Sequence, residues 1–74
     1  MTNRALKLAE LAAIEGEDEM QMMETASYDG VSPGICINDD CDYTVAVEPD
    51  CRDGWCEECQ TNTVESCLVL AGVI

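Results

Sequence analysis

The sequence predicts a small α+β module stapled by zinc: a zinc-ribbon or treble-clef-like knuckle, a β-hairpin and a C-terminal helix, preceded by an N-terminal helix. Three observations predict this class. The chain has 74 residues and six cysteines, and so short a chain needs a metal, disulfides or a partner to be stable. Four of the cysteines form two close pairs, separated by strand and turn signals. Phenylalanine is absent and tryptophan occurs once, which excludes a large aromatic core.

The N-terminal segment has the pattern of an amphipathic helix. Thr2 or Asn3 can cap it, and Gly16 is placed to end it. Its apolar stripe is imperfect, and a helix of this length is marginal without a hydrophobic partner. The stripe consists of Leu6, Leu8, Leu11, Ala12 and Ile14.

The next segment, residues 15–29, contains acidic residues and methionines but no basic residue. A second short helix over about Glu17–Ala26 is one interpretation, because acidic residues favour a helix N-terminus. A disordered acidic linker is the alternative. Turn residues from Tyr28 to Gly34 then predict a boundary. We therefore divide the chain into a helical and acidic segment, residues 1–33, and a four-cysteine zinc-binding module, residues 34–74.

Inside the module, the residues after the first cysteine pair predict a hairpin. From Tyr43 to Val47, larger apolar side chains alternate with Thr44 and Ala46, which is the period of a strand. Turn residues lie on both sides of Cys51, so the chain must reverse there. A return arm through Trp55 would complete the hairpin.

The end of the chain predicts a helix. Asn62 and Glu65 have the spacing of a capping box, and Gly72 is a plausible stop. Val64, Cys67, Leu68 and Ala71 would share one face of that helix. Cys67 would then act as a small hydrophobic side chain rather than as a ligand.

The cysteine pairs have the spacing of a tetrahedral zinc site. Two cysteines a few residues apart on a tight turn occupy one edge of the tetrahedron, and a second pair occupies the opposite edge. Cys56 and Cys59 have the standard spacing, whereas Cys36 and Cys41 are at the wide end of the range. Because the chain has no histidine, all four ligands are expected to be cysteine. Cys51 is the alternative for one of the four.

Other interpretations of these residues fit less well. An even number of cysteines in a short chain also fits a disulfide framework, but no secretory signal is evident and reduced thiols are expected in the cytosol. A redox centre at Cys56 and Cys59 would leave Cys36 and Cys41 without a role, in a chain too short for a thioredoxin core. Iron can occupy a site of four thiolates. The oxygen-rich Asn38–Asp42 lacks the ligand spacing of a calcium loop.

The charge of the chain limits the classes of partner. The net charge is -13, so nucleic acid and anionic membrane surfaces are repelled, and a basic protein surface is the expected partner. The alternative is that the acidity only keeps the protein soluble. Without histidine, Cys–His and Ser–His catalytic pairs are impossible, and we expect no enzymatic activity. The apolar C-terminal residues are too few to span a bilayer, and the expected location is cytoplasmic.

The module resembles small acidic zinc-ribbon-like proteins of bacteria and phages, most of unassigned function. The resemblance covers residues 34–74 and rests on the spacing of the cysteines, Trp55 and the Glu-Pro-Asp run at residues 48–50. Asp42 and Gln60 depart from the pattern, because glycine is common at those positions after each pair. The resemblance implies structural zinc on Cys36, Cys41, Cys56 and Cys59, with Cys51 and Cys67 outside the pattern.

Two functions fit this sequence. The first is an acidic protein that inhibits a nucleic-acid-handling complex by imitating phosphate charge, as phage anti-CRISPR or anti-restriction proteins of similar size and charge do. The second is a zinc-ribbon adaptor or regulatory subunit that docks through its N-terminal helix, on a partner or on its own copy as a homodimer. The alternative for that helix is that it packs on its own zinc module. The expected partner-binding residues of the first are Glu15, Glu17, Asp18, Glu19, Glu24, Asp39, Asp40 and Asp42.

Overall fold

The computed structural model describes residues 3–73, apart from the side chain of Asp29. Thr2, one of the two predicted caps, lies outside that range. The described residues confirm a small α+β protein with N-terminal helices and a curled antiparallel sheet. Its elements are α1 (Asn3–Glu15), α2 (Glu19–Asp29), β1 (Ser32–Cys36), β2 (Thr44–Val47), β3 (Gly54–Cys56), β4 (Thr61–Ser66) and α3 (Cys67–Leu70).

Helix α1 forms as predicted, but only part of the predicted stripe is buried. Leu8, Leu11 and Ala12 are buried against the rest of the protein. Leu6 and Ile14 are 54% and 46% exposed, so the predicted apolar stripe is only partly covered by the rest of the protein. Leu6 is two residues from Leu8, which places it about 200° around the helix, on the far side.

Helix α2 replaces the disordered linker that the acidic segment also allowed. Gly16 ends α1 in the left-handed conformation, with φ +73°, as predicted. Asp18 then caps α2, because its carboxylate accepts a hydrogen bond from the Gln21 backbone N–H at 2.8 Å. The helix begins two residues after the predicted start and continues to Asp29.

Strand β1 lies inside the sheet, although its first residues were predicted to be a turn. The strand order is β2-β1-β4-β3, and every neighbouring pair is antiparallel. The pairing of β1 with β4 begins only at Gly34, so Pro33 lies opposite β2 alone. The Cys36 N–H donates towards β2 and the Ile37 N–H towards β4, and this direction alternates along the strand. The backbone nitrogen of Pro33 is therefore on the β4 side, at a position before the β1–β4 pairing begins. Its missing N–H therefore removes no ladder bond.

Two further predictions about the module were wrong. Strand β2 pairs with β1 and β3 pairs with β4, so the expected hairpin of β2 with β3 does not form. Asn62 and Glu65 lie in β4 and do not cap a helix. The cap of α3 is Ser66, whose hydroxyl accepts from the Val69 N–H at 3.2 Å, and α3 is correspondingly short.

Two hydrophobic clusters hold the fold together. The first lies between the helices and the sheet. It contains residues of both predicted segments, 1–33 and 34–74, including Leu11, Met22, Ile35 and Leu68. The second is formed by Cys36, Cys41, Cys56 and Val64. Among residues 3–73, no helix has the length and apolar composition needed to cross a membrane.

Candidate metal centre

Four cysteines converge on one point at the end of the sheet. Cys36 ends β1 and Cys41 follows in the next loop, while Cys56 ends β3 and Cys59 lies in the turn before β4. Their sulfur atoms all lie within 4.8 Å of one another. The structure therefore brings together the four cysteines that the sequence predicted as ligands, and the cluster could hold a metal ion.

The spacing of the sulfurs fits a tetrahedral ion. With metal–sulfur bonds of about 2.3 Å, the edge of the tetrahedron is about 3.8 Å. The Cys36 and Cys59 sulfurs are 3.9 Å apart, and the Cys41 and Cys56 sulfurs are 3.6 Å apart. A disulfide would need a separation of about 2.0 Å, and all six cysteines have free thiols. Each of these two contacts joins a cysteine of the first sequence pair to a cysteine of the second. The two pairs therefore meet at one site, and the two contacts are opposite edges of the tetrahedron.

Hydrogen-bond donors surround the sulfurs. The Asn38 side-chain amide donates to Cys59 Sγ at 3.3 Å, and the Cys59 backbone N–H lies 3.4 Å from Cys56 Sγ. The Thr63 hydroxyl is 3.1 Å from Cys36 Sγ. Donors aimed at sulfur favour the thiolate form and fix its orientation. Sequence reasoning missed Asn38 and Thr63 in this role, because neither residue type is a ligand and their proximity depends on the fold.

The thiols of the cluster differ in their readiness to lose a proton. Burial raises the pKa of Cys36, but hydrogen bonds from Thr63, the Asn38 backbone and neighbouring thiols outweigh it and lower the pKa to about 7. A hydrogen bond from the Tyr43 backbone lowers the pKa of Cys41. Burial and the neighbouring thiols together outweigh this effect and raise the pKa to about 12. Four adjacent thiolates repel one another, so a bound cation would be needed to ionise all four.

Helix α1 contacts the loop between the first two cysteines. The Lys7 ammonium donates to the Cys41 carbonyl, and the Asn3 amide donates to the Ile37 carbonyl at 2.6 Å. The Lys7 side chain is only 3% exposed, and its nitrogen lies 3.8 Å from a carboxylate oxygen of Glu10. Nothing in the sequence singled out Lys7 for this role.

The remaining cysteines lie outside the cluster. Cys51 is half-buried, with its sulfur 4.0 Å from the Val64 carbonyl. Cys67 is fully buried in the first hydrophobic cluster, 3.1 Å from the Ser32 hydroxyl. Cys67 thus packs as a small apolar side chain, in agreement with the expectation from its apolar neighbours.

The turn after Cys59 is formed without the glycine that is common there. Gln60 has φ +57°, the only positive φ of a non-glycine residue in the described chain. Its backbone N–H donates to the Cys56 carbonyl at 2.7 Å and closes the turn. The left-handed conformation is strained for a side chain with a Cβ, so the knuckle tolerates a local conformational cost.

The eight acidic residues predicted to bind a partner are all exposed, and seven of them border open depressions of the surface. Glu15 and Glu17 border an open depression next to α2, and Asp18 and Glu24 border a second. A third, close to the metal centre, combines Glu10 and Ile14 of α1 with Asp39, Asp40 and Asp42. Sequence reasoning did not include Glu10 among the acidic residues of this depression.

The basic residues of α1, Arg4 and Lys7, contact other groups of the protein. The Arg4 guanidinium makes two hydrogen bonds to the Glu65 carboxylate, at 3.1 and 3.2 Å. That hydrogen bonding, and the charge of Glu65, raise the pKa of Arg4 above its ordinary value. Lys7 is buried, and its ammonium lies 3.8 Å from the Glu10 carboxylate. Both cations are therefore engaged with groups other than the eight predicted acids.

Comparison of the chain with protein-family models, with curated proteins and with solved structures finds no match. The four-cysteine cluster is thus the feature from which a function can be argued.

Proposed function

We propose that the protein binds one structural zinc ion through Cys36, Cys41, Cys56 and Cys59. The observation that carries this proposal is the pair of sulfur separations, 3.6 and 3.9 Å, close to the edge of about 3.8 Å of a tetrahedral zinc–thiolate site. Sites closed by four cysteines are typical of structural zinc, because no coordination position is left for water or substrate. Iron in the same site would colour the protein, whereas zinc would leave it colourless.

In this proposal the ion supplies stability rather than chemistry. The buried centre of the second hydrophobic cluster is three of the cysteines and Val64, with Tyr43, Val47 and Cys59 packed against it, so the cluster is small and would depend on the metal for stability. Two knuckles, one after β1 and one after β3, would hold the ion between them in a zinc-ribbon-like manner. No catalytic role is part of the proposal. A reducing compartment such as the cytoplasm would keep the thiols available.

We further propose that the zinc-stapled body acts through its acidic surface, as an inhibitor of a nucleic-acid-handling complex. Its net charge of -13 and its exposed carboxylates support charge mimicry of phosphate. The contacts of Arg4 and Lys7 support it as well, since they involve Glu65, Glu10 and the Cys41 carbonyl rather than the eight predicted acids. The chemistry expected of the partner is a groove lined by lysine and arginine.

The adaptor function is the second candidate. Leu6 and Ile14 remain exposed on α1 and favour some contact with another apolar surface. However, Leu8 and Leu11 are already used inside the protein, so a docking stripe made of all four side chains is not available without unfolding. The adaptor function therefore ranks below charge mimicry.

Capture of partners by tagged, zinc-loaded protein separates the two functions. Under charge mimicry, competing DNA releases one captured partner. That partner is no longer captured by one of two neutralised variants, which change Asp39, Asp40 and Asp42 to asparagine or Glu15, Glu17 and Glu24 to glutamine. A matched control neutralises Glu48, Asp50 and Asp53, which are exposed acids outside the predicted set. A partner indifferent to DNA and to every neutralised variant, but lost on Leu6→Glu, would support the adaptor instead.

A further inference from the structure

The first two turns of α1 bond to both ends of the loop between Cys36 and Cys41. The Asn3 amide donates to the carbonyl of Ile37, directly after Cys36, and the Lys7 ammonium donates to the carbonyl of Cys41 itself. Asn3 and Lys7 are four residues apart, so they lie on one face of the helix. One helical face therefore fixes the backbone of a loop that carries half of the proposed ligands.

Lys7 is also a buried cation. A buried ammonium is unfavourable unless charge or hydrogen bonds compensate it. Glu10 offers partial compensation, since its carboxylate is 3.8 Å from the ammonium and 41% exposed. A divalent ion with four thiolates carries a net charge of about -2, and Lys7 is bonded to one of the ligand residues. The loaded centre and Lys7 would thus stabilise each other electrostatically.

We propose that Lys7 is a positioning residue of the metal centre, and that metal binding and the docking of α1 are thermodynamically coupled. This inference rests on the proposed binding of metal by the four cysteines. Lys7 holds the Cys41 backbone, and so keeps its sulfur at the site, while the bound ion orders the loop that offers the two carbonyls to α1. Because coupling is reciprocal, each event strengthens the other by the same factor.

The test is the zinc affinity of the Lys7→Met protein, measured by competition with a chromogenic chelator. Residues that orient metal ligands contribute about 10–100-fold to affinity, so the dissociation constant should rise by that factor. Arg4→Met is the matched control: it removes the same charge from the same helix, but its partner Glu65 is outside the cluster. We expect it to leave zinc affinity nearly unchanged.

Amide hydrogen exchange measures the same coupling from the other side. In the wild-type protein, added zinc should slow exchange in α1. In Lys7→Met, the factor by which zinc slows exchange should be smaller than in the wild-type protein, by the same ratio by which the zinc affinity is reduced.

The cobalt spectrum is a third readout. The absorption band of the cobalt-loaded protein should shift in Lys7→Met and not in Arg4→Met, because of these two residues only Lys7 contacts a ligand residue. Where metal binding is linked to folding, a merely structural lysine would lower the stability and with it the apparent zinc affinity, but it would leave the cobalt band unshifted, so the band is the deciding readout.

The outcomes separate this inference from the proposal on which it rests. If the wild-type protein binds zinc and Lys7→Met binds it equally well, the role of Lys7 is refuted and the metal site stands. If the wild-type protein binds no metal, both fail. Should Lys7→Met not fold, Asn3→Ala makes the same test at an exposed position. It should weaken zinc binding several-fold, and unchanged affinity would refute the coupling.

Discussion

Truncation of Leu11 tests whether α1 belongs to the core of this protein. The Leu11 side chain is fully buried in the first cluster, at the contact of α1 with the rest of the fold. Replacement of a buried leucine by alanine lowers the free energy of unfolding by about 2–5 kcal/mol. A chain of this size is expected to have roughly 4–11 kcal/mol in total, from about 0.05–0.15 kcal/mol per residue. Leu11→Ala should thus remove a large share of the stability.

Thermal unfolding followed by circular dichroism measures the effect. For domains of this size, 1 kcal/mol shifts Tm by roughly 4–8 °C, so a loss of about 3 kcal/mol lowers Tm by about 12–24 °C. Leu6→Ala is the matched control on the same helix, and since Leu6 is 54% exposed its effect should stay within about 0.5 kcal/mol. Equal effects of the two substitutions would refute the burial of α1. So would a Leu11→Ala protein of normal Tm that has lost only self-association.

Other predictions concern the sheet, the knuckle and the metal. Gly34→Ala would place a Cβ 2.8 Å from a Val47 methyl and 2.9 Å from a Val64 methyl, so overpacking should cost about 1–3 kcal/mol in urea denaturation; an unchanged midpoint would contradict this packing. Gln60→Gly should raise the free energy of unfolding by roughly 0.5–1 kcal/mol, because glycine adopts φ +57° without strain, and a lower Tm would contradict the left-handed turn. Removal of zinc by a strong chelator should abolish cooperative unfolding, since structural zinc contributes about 10–16 kcal/mol in small zinc modules; the half-exposed Trp55, next to Cys56, provides a fluorescent signal, and an unchanged unfolding curve would argue against a structural ion.

The cysteine cluster could be predicted from the sequence because ligand spacing is local. Cys56 and Cys59 are held within one turn, and Cys36 and Cys41 within one loop, so their pairing needs no knowledge of the sheet. The N-terminal helix could be predicted for the same reason. Its end at Gly16 follows from the conformational freedom of glycine at that position.

The order of the strands could not be predicted, because it depends on contacts between distant residues. Ser32 and Pro33 have the composition of a turn, and only their register against β2 shows that they form a strand. Glu65 matches a capping box, yet its carboxylate is 5% exposed and pairs with Arg4 across most of the chain. Lys7 likewise resembles a solvent-facing lysine until the fold places the Cys41 carbonyl beside it.

The most direct test of the metal centre is the mass of the folded protein and its variants, measured by native mass spectrometry after purification with zinc. The wild-type protein and Cys51→Ser, whose sulfur lies outside the cluster, should each carry one zinc ion per chain. Cys56→Ser, which removes a buried sulfur from the cluster, should lose it. A wild-type protein without metal, or equal zinc content in Cys56→Ser and Cys51→Ser, would contradict the assignment of the site.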